Sequence, residues 1–319
     1  GDRHEVAGVM QDQPFTKFWN ALARAQHELY VDSTTACVER QVEGLAERFR
    51  HYRENSSYGS LSLDPRVDLP RYLSAVDIHC VPGGYGLELV EDDVYPGARY
   101  DIGVYMYAMG KHGGFNESKG QAGVAFLKHR FPALKPRTIL EMGCTVGGSL
   151  LPYVDAFPDA KVYGIDVSAP CLRYAHGRAE SLKKAVHFSQ QNAEHTSFEE
   201  ESFDLIVSHI LMHETSRKAL NNIMREGFRL LRPGGVMLHV EVPCRHATMT
   251  PYQQWVMDWS THNNNEPFWG TLHDMDIVKP IRAAGFPDDA IFDVDMDASY
   301  GNFMTGAAWW AFGGRKPRA

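Results

Sequence analysis

The chain has 319 residues, a net charge of −8, 44% hydrophobic and 23% charged residues. That composition is globular and excludes a disordered chain or a fibre, and the acidic balance disfavours a dedicated nucleic-acid binder, which shows a basic face. No apolar run approaches the ~20 residues of a membrane helix, Gly306–Gly313 being the richest. The N-terminus shows no charged-then-apolar leader, and Gly1-Asp2 reads as a processed or truncated start. Five cysteines (Cys37, Cys80, Cys144, Cys171, Cys244) without a CxxC pair suit a reducing compartment, so a cytoplasmic protein is expected.

Phe15, Phe18, Trp19, Leu22, Ala25 and Leu29 fall at helical spacing after Pro14. Val38, Val42, Leu45, Phe49 and Tyr52 form a second stripe, with Asp32 or Ser33 as its cap. The spacing predicts a hairpin of helices over 14–30 and 34–54, packed on the main domain. A homodimer interface or an active-site cap is the alternative use of these helices. Asn55-Ser56-Ser57, Asp64-Pro65, Pro82-Gly83-Gly84 and Pro96-Gly97 mark 54–100 as an irregular connection with one short helix, Pro70–Val76. Tyr85, Tyr95 and Tyr100 lie in it, and Tyr105 and Tyr107, candidate substrate contacts, follow.

From residue 118 apolar runs alternate with helices. Helices are expected over Ser118–Arg130, Gly148–Phe157, Pro170–Lys183, Arg217–Leu231 and Met275–Ala284. Strands are expected at Thr138–Leu140, Val162–Ile165, Val186–Ser189, Phe203–Ser208, Val236–Val242, Ala290–Val294 and Gly306–Phe312, the last two antiparallel. This is the pattern of an α/β fold with a doubly wound sheet. It divides the chain into an N-terminal helical, Tyr-rich region (1–117) and a second domain (118–319) with a lid insertion at about 243–274.

The first of these strands runs into Glu141-Met142-Gly143-Cys144-Thr145-Val146-Gly147-Gly148, a glycine turn that lets backbone approach a ligand. The next ends in Gly164-Ile165-Asp166, an acid about 20 residues on that suits ribose hydroxyls. A nicotinamide fingerprint, GxGxxG, fails at Thr145. Three further motifs follow in order: Gln191-Asn192-Ala193, Ser202-Phe203-Asp204-Leu205-Ile206-Val207-Ser208-His209, and Arg229-Leu230-Leu231-Arg232-Pro233-Gly234-Gly235 before a strand. Together they make residues 137–242 resemble a class I S-adenosylmethionine-dependent methyltransferase of the small-molecule type.

The resemblance implies a mostly parallel, seven-stranded Rossmann-like sheet with an N-terminal helical extension. It implies S-adenosyl-L-methionine as cofactor and S-adenosyl-L-homocysteine as product. The implied cofactor contacts are Glu141, Gly143, Thr145, Gly147, Asp166, Val167, Asn192, Ala193, Ser208 and His209. Thr145 stands where the family has Gly, so its backbone is expected to avoid a glycine-only conformation. Asn192 stands where an Asp is frequent, and an amide can still accept from an adenine amine.

Methyl transfer requires alignment, and a base only when the acceptor is protonated at neutral pH. His213, His209 and Glu214, at the carboxyl end of a central strand, are the candidate catalytic residues. His213 is the candidate base and His209 a cofactor neighbour. No carboxylate-rich cluster accompanies them, so no metal site is expected. In the lid, Trp255, Trp259, His262 and Trp269, alongside Asn263-Asn264-Asn265 and Glu266, suit a small organic substrate. The expected reaction is methyl transfer to such an acceptor, with oxygen narrowly favoured because two imidazoles are available as bases. A protein substrate, or a non-catalytic cofactor-binding partner subunit, is the alternative. Neither a nucleic-acid nor a membrane partner is expected; a Pro-Pro-Tyr or Pro-Pro-Phe pattern is missing after the fourth strand.

Overall fold

Asp2 opens the first helix, α1 (Arg3–Met10), by accepting from the N–H groups of His4 and Glu5. The computed structural model describes residues 1–243, 245–301 and 307–318; Cys244 and Gly306 lie outside the described residues. Pro14 sits in the first turn of α2 (Pro14–Glu39), where its missing N–H is harmless. The expected break at Asp32 or Ser33 does not occur. Both lie inside α2, and the Ser33 hydroxyl donates back to the Leu29 carbonyl at 2.7 Å instead of capping a new helix. The chain turns at Arg40–Gln41 into α3 (Val42–Glu54).

The packing expected of the first stripe is also corrected. Phe15, Phe18, Trp19, Leu22 and Leu29 are all exposed, while Thr16, His27, Val31, Thr34 and Val38 form the buried face of α2. Between 54 and 100 the structure adds a strand, β1 (Ser60–Ser62), before the expected short helix α4 (Arg71–Ser74). Pro96-Gly97, which reads as a turn, instead opens α5 (Tyr95–Tyr107), because proline is tolerated in a helix's first turn. Gly97 is required there: a Cβ would come within 2.5 Å of the Tyr174 Cβ.

After α6 (Ser118–Arg130) come β2 (Thr138–Met142), α7 (Leu151–Ala156), β3 (Lys161–Asp166), α8 (Ala169–Ser181), β4 (His187–Gln190) and β5 (Phe203–His209). Then follow α9 (Arg217–Leu230), β6 (Leu231–Glu241), the lid helices α10 (Pro251–Asn263) and α11 (Trp269–His273), α12 (Val278–Ala284), β7 (Ile291–Asp295) and β8 (Trp310–Arg315). The strands form one sheet in the order β1-β4-β3-β2-β5-β6-β8-β7. The first six are parallel, and β8 runs antiparallel to β6 and β7. Seven of the eight are those the sequence predicts; β1 is an additional edge.

The period of two along each strand builds two cores. Ile139, Leu205, Val207, Leu238 and Val240 face the side covered by α6, α7 and α8. Leu140, Met142, Ile206, Met237 and Phe312 face the side covered by α9 and α12. Strand order reverses between β2 and β5, and the carboxyl ends of parallel strands at such a switch point form a crevice that binds ligands. Glu141 and His209 belong to the first face by the same alternation, and Ser208 and His239 to the second.

Candidate active site

A cavity opens over that switch point, walled by Gly143, Thr145, Asp166, Val167, Asn192, Ala193 and His209 from the sheet's carboxyl ends. Gly143 and Gly147 adopt φ of 69° and 70°, which their lack of a Cβ permits. Thr145 also lies in the left-handed region, at φ 46°, which favours glycine but is open to other residues. Its N–H donates to Asp166 Oδ2 at 2.9 Å, and the Ser168 N–H donates to Oδ1 at 2.9 Å. The carboxylate still has acceptor capacity left for a ligand hydroxyl. Burial pushes this carboxyl up, and the backbone N–H groups of Ser168, Thr145 and Val167 oppose it.

Beneath the glycine turn, Glu141 Oε1 meets His209 Nδ1 at 2.6 Å, and His209 Nε2 meets the Tyr153 hydroxyl at 3.1 Å. Both ring nitrogens of His209 are thus engaged, which removes it as a base. Glu141 Oε2 is buried without a hydrogen-bond partner. An orphaned carboxylate oxygen below a glycine turn fits a cofactor that brings a donor or a cation. Lys119 is buried at the same end, and burial pulls its ammonium down to about 8 against the pull of Glu141.

The opposite end of the cavity is acidic and aromatic. Glu241, fully buried at the end of β6, accepts from the Met212 N–H at 2.7 Å and holds His213 Nδ1 at 2.7 Å. His79 Nε2 lies 3.0 Å from Glu214 Oε1, and its Nδ1 lies 3.5 Å from Glu266 Oε1. The Tyr85 hydroxyl donates to Glu214 Oε1 at 3.2 Å. Burial alone would hold His213 down, but Glu241, then Glu214 and Glu266, outweigh it and push the imidazole up to about 9. That shift favours the protonated imidazole near neutral pH and disfavours the role of base expected of His213. Burial raises Glu214, but His79 and His213 outweigh it and keep that carboxylate below its usual range. Glu266 is pushed up by burial, and its Oε2 is buried without a partner.

Of the other sequence candidates, Tyr107 and Trp269 line the cavity, and Trp269 stacks on His213 at 5.2 Å. Tyr105, Trp255, Trp259 and His262 do not line it. Tyr105 and His262 are exposed. Trp255 packs on Tyr252 of its own helix, and Trp259 on Trp19 and Asn20 of α2. Gly147 packs under Phe188, away from the cavity. The Ser208 hydroxyl is turned to the other face of the sheet, 2.7 Å from His239 Nδ1. Asn192 Oδ1 already accepts from the Glu194 N–H at 2.9 Å. Sequence reasoning missed His79, Glu241, Lys119 and Tyr153. Glu241 carried a signal: an acid inside an otherwise apolar central strand is costly unless paired.

A family model described as a methyltransferase domain matches residues 139–235. The tRNA N(3)-methylcytidine methyltransferase of Drosophila melanogaster is 32% identical over 111 residues, 33% of this chain and 34% of that protein. Phosphoethanolamine N-methyltransferase 1 of Arabidopsis thaliana is 34% identical over 158 residues, 49% of this chain and 30% of that one. The chain thus spans about a third of the length of these relatives. The solved Haemonchus contortus phosphoethanolamine N-methyltransferase 2, in complex with phosphomonomethylethanolamine and S-adenosylhomocysteine, superposes with a TM-score of 0.52 at 20% identity. That alignment covers 69% of this chain and 58% of that one, and it establishes the shared fold.

Proposed function

From a chain that carries a methyltransferase domain of the class I S-adenosylmethionine-dependent family, we propose a methyltransferase that acts on a small organic amine. The observation that carries the acceptor class is Glu266 Oε2, buried and unpaired beside Glu214 in an aromatic-walled cavity. Such a carboxylate suits an N–H donor. Two of the relatives are named N-methyltransferases, which supports nitrogen. The reading of oxygen as acceptor rested on two free imidazoles, but His209 is engaged at both ring nitrogens and His213 is held by Glu241 at Nδ1.

When bound, S-adenosylmethionine supplies a methyl group activated on a sulfonium. Asp166 would hold its ribose, Asn192 and Ala193 its base, and the turn from Gly143 to Thr145, with Glu141 beneath, its amino-acid end. A neutral amine attacks with its own lone pair and needs no base. Positive charge then grows on the acceptor nitrogen. Glu214, kept ionised by His79 and His213, faces that charge from a site built before the reaction, where a fixed counter-charge lowers the barrier most. His27, Tyr30, Tyr85, Tyr100 and Tyr107 from residues 1–117 wall the acceptor end, so this region acts as a cap that sets specificity. The partner we infer for the exposed stripe on α2 is a second copy of the chain. No helix among the described residues is long and apolar enough to cross a membrane.

Calorimetry tests the cofactor. S-adenosylmethionine and S-adenosylhomocysteine should bind the wild type, and Asp166→Ala should weaken both by about tenfold or more, the loss of hydrogen bonds to a charged group. No heat from either ligand sinks the assignment. A screen of amines and alcohols for S-adenosylhomocysteine release tests the acceptor. Turnover of amines, lost in Glu266→Gln with S-adenosylhomocysteine affinity intact, is expected; turnover of alcohols alone refutes it.

A further inference from the structure

The lid gathers three side chains from three separate pieces of chain: His246 from the turn His246–Thr248, Asp258 from α10 and His273 from α11. We propose that these three residues bind one zinc-type divalent cation that ties the lid together beside α1. One nitrogen or oxygen from each lies within 4.8 Å of the other two. His246 Nε2 faces Asp258 Oδ1 at 3.6 Å, and the two imidazole rings lie 4.8 Å apart.

Buried nitrogens without partners point to a ligand. His246 Nε2 and both nitrogens of His273 are buried with no hydrogen bond, on residues 5% and 3% exposed. Leaving each such atom unsatisfied costs about 1–3 kcal/mol.

The surroundings fix which nitrogen of His246 is offered. Its Nδ1 lies 2.8 Å from Asp274 Oδ1 and 3.1 Å from Arg3 Nη1. Asp274 accepts and a guanidinium cannot, so Nδ1–H donates to Asp274 and the Nε2 lone pair turns to Asp258 and His273. An outer carboxylate orienting an imidazole in this way is the usual support of a metal-bound histidine. Arg3 also takes the far side of Asp258, with Nε 2.9 Å from Oδ2, which leaves Oδ1 for the ion. Asp258 and Asp274, with side chains 37% and 43% exposed, open the cluster to solvent and give an ion a path inward.

Two imidazoles and one carboxylate make a nitrogen-rich donor set. That set suits zinc or a similar transition ion and not magnesium or calcium, which prefer oxygen throughout. Tetrahedral ligands at zinc distances lie about 3.4 Å apart, so closing the cluster moves its atoms by ~1 Å, with water as fourth ligand. The ring of His273 sits 5.4 Å from Trp269, which stacks on His213, so the ion lies one ring behind the cavity wall.

The full chain, stripped with chelator and titrated with Zn2+ or Co2+ alone, tests this. About one ion per chain is expected, with Co2+ giving the visible bands of a low-coordinate nitrogen and oxygen site. The ion should protect residues 243–274 from limited proteolysis. His273→Ala and Asp258→Asn should each lose binding by tenfold or more while still binding S-adenosylhomocysteine, which reports an intact fold. No stoichiometric binding, or binding unchanged in both variants, overturns the proposal. So does binding lost in Glu214→Gln but kept in His273→Ala, which would put the ion in the catalytic cavity.

Discussion

Two β-branched residues that line the cavity, Thr145 and Ile210, sit at φ 46° and 50°. Left-handed backbone costs a β-branched residue about 1–3 kcal/mol, and it persists where neighbours over-determine it. At Thr145 the restraint is its N–H bond to Asp166, and at Ile210 its N–H bond of 2.8 Å to the Val240 carbonyl. Thr145→Gly should therefore raise stability by about 1 kcal/mol, or ~2–4 °C in Tm, after the entropy cost of glycine. Calorimetric melting checks it, and an unchanged or lower Tm means the strain is not stored there. His213 gives a second prediction. Its folded pKa of about 9 lies above the ordinary 6.5, so its charge contributes stability fully below 6.5, and the contribution fades as pH rises through 9. His79 is raised too and acts in the same direction. Glu241→Gln should cost about 3–5 kcal/mol at neutral pH, by leaving a buried imidazolium unpaired, and should flatten the alkaline fall in Tm. An unchanged alkaline slope in Glu241→Gln would show that another group titrates.

Element by element, what could be read depended on how local the determinant is. The strands from Thr138 to Glu241 were legible because their apolar runs and intervening helices are set by nearest neighbours. The course of α2 across Asp32 was not, since a polar cap residue can equally bond inside a helix, as Ser33 does. Nor was α5, where Pro96-Gly97 serves as a helix start, and where Gly97 answers to Tyr174 on a distant helix. The stripe Phe15, Phe18, Leu22 and Leu29 has helical spacing, yet spacing does not say what covers it. If a second copy does, Phe18→Glu with Leu22→Glu should convert a dimer to a monomer in analytical ultracentrifugation without changing Tm by more than a degree or two. A monomeric wild type refutes that interface.

Across the whole molecule, the cavity draws on both sides of residue 117. The cofactor end was legible because its residues follow strands in motif order: Gly143, Thr145, Asp166 and Asn192 all reach the cavity. At the opposite end the sequence offered Glu214 and Glu266 but not their partners. His79, Glu214, Glu241 and Glu266 meet only because the irregular segment, β6 and the lid converge, and no spacing rule links them. The same long reach decides how the chain can be made. Ser60 to Ser62 of β1 pair in parallel with His187 to Ser189 of β4, and Glu180 on α8 binds the backbone N–H groups of Ser57, Tyr58 and Gly59. During synthesis at about 5–20 residues per second, β1 leaves the ribosome many seconds before its partner exists. The strand β1 and the Ser57–Gly59 turn therefore cannot complete their pairing until α8 and β4 have been made.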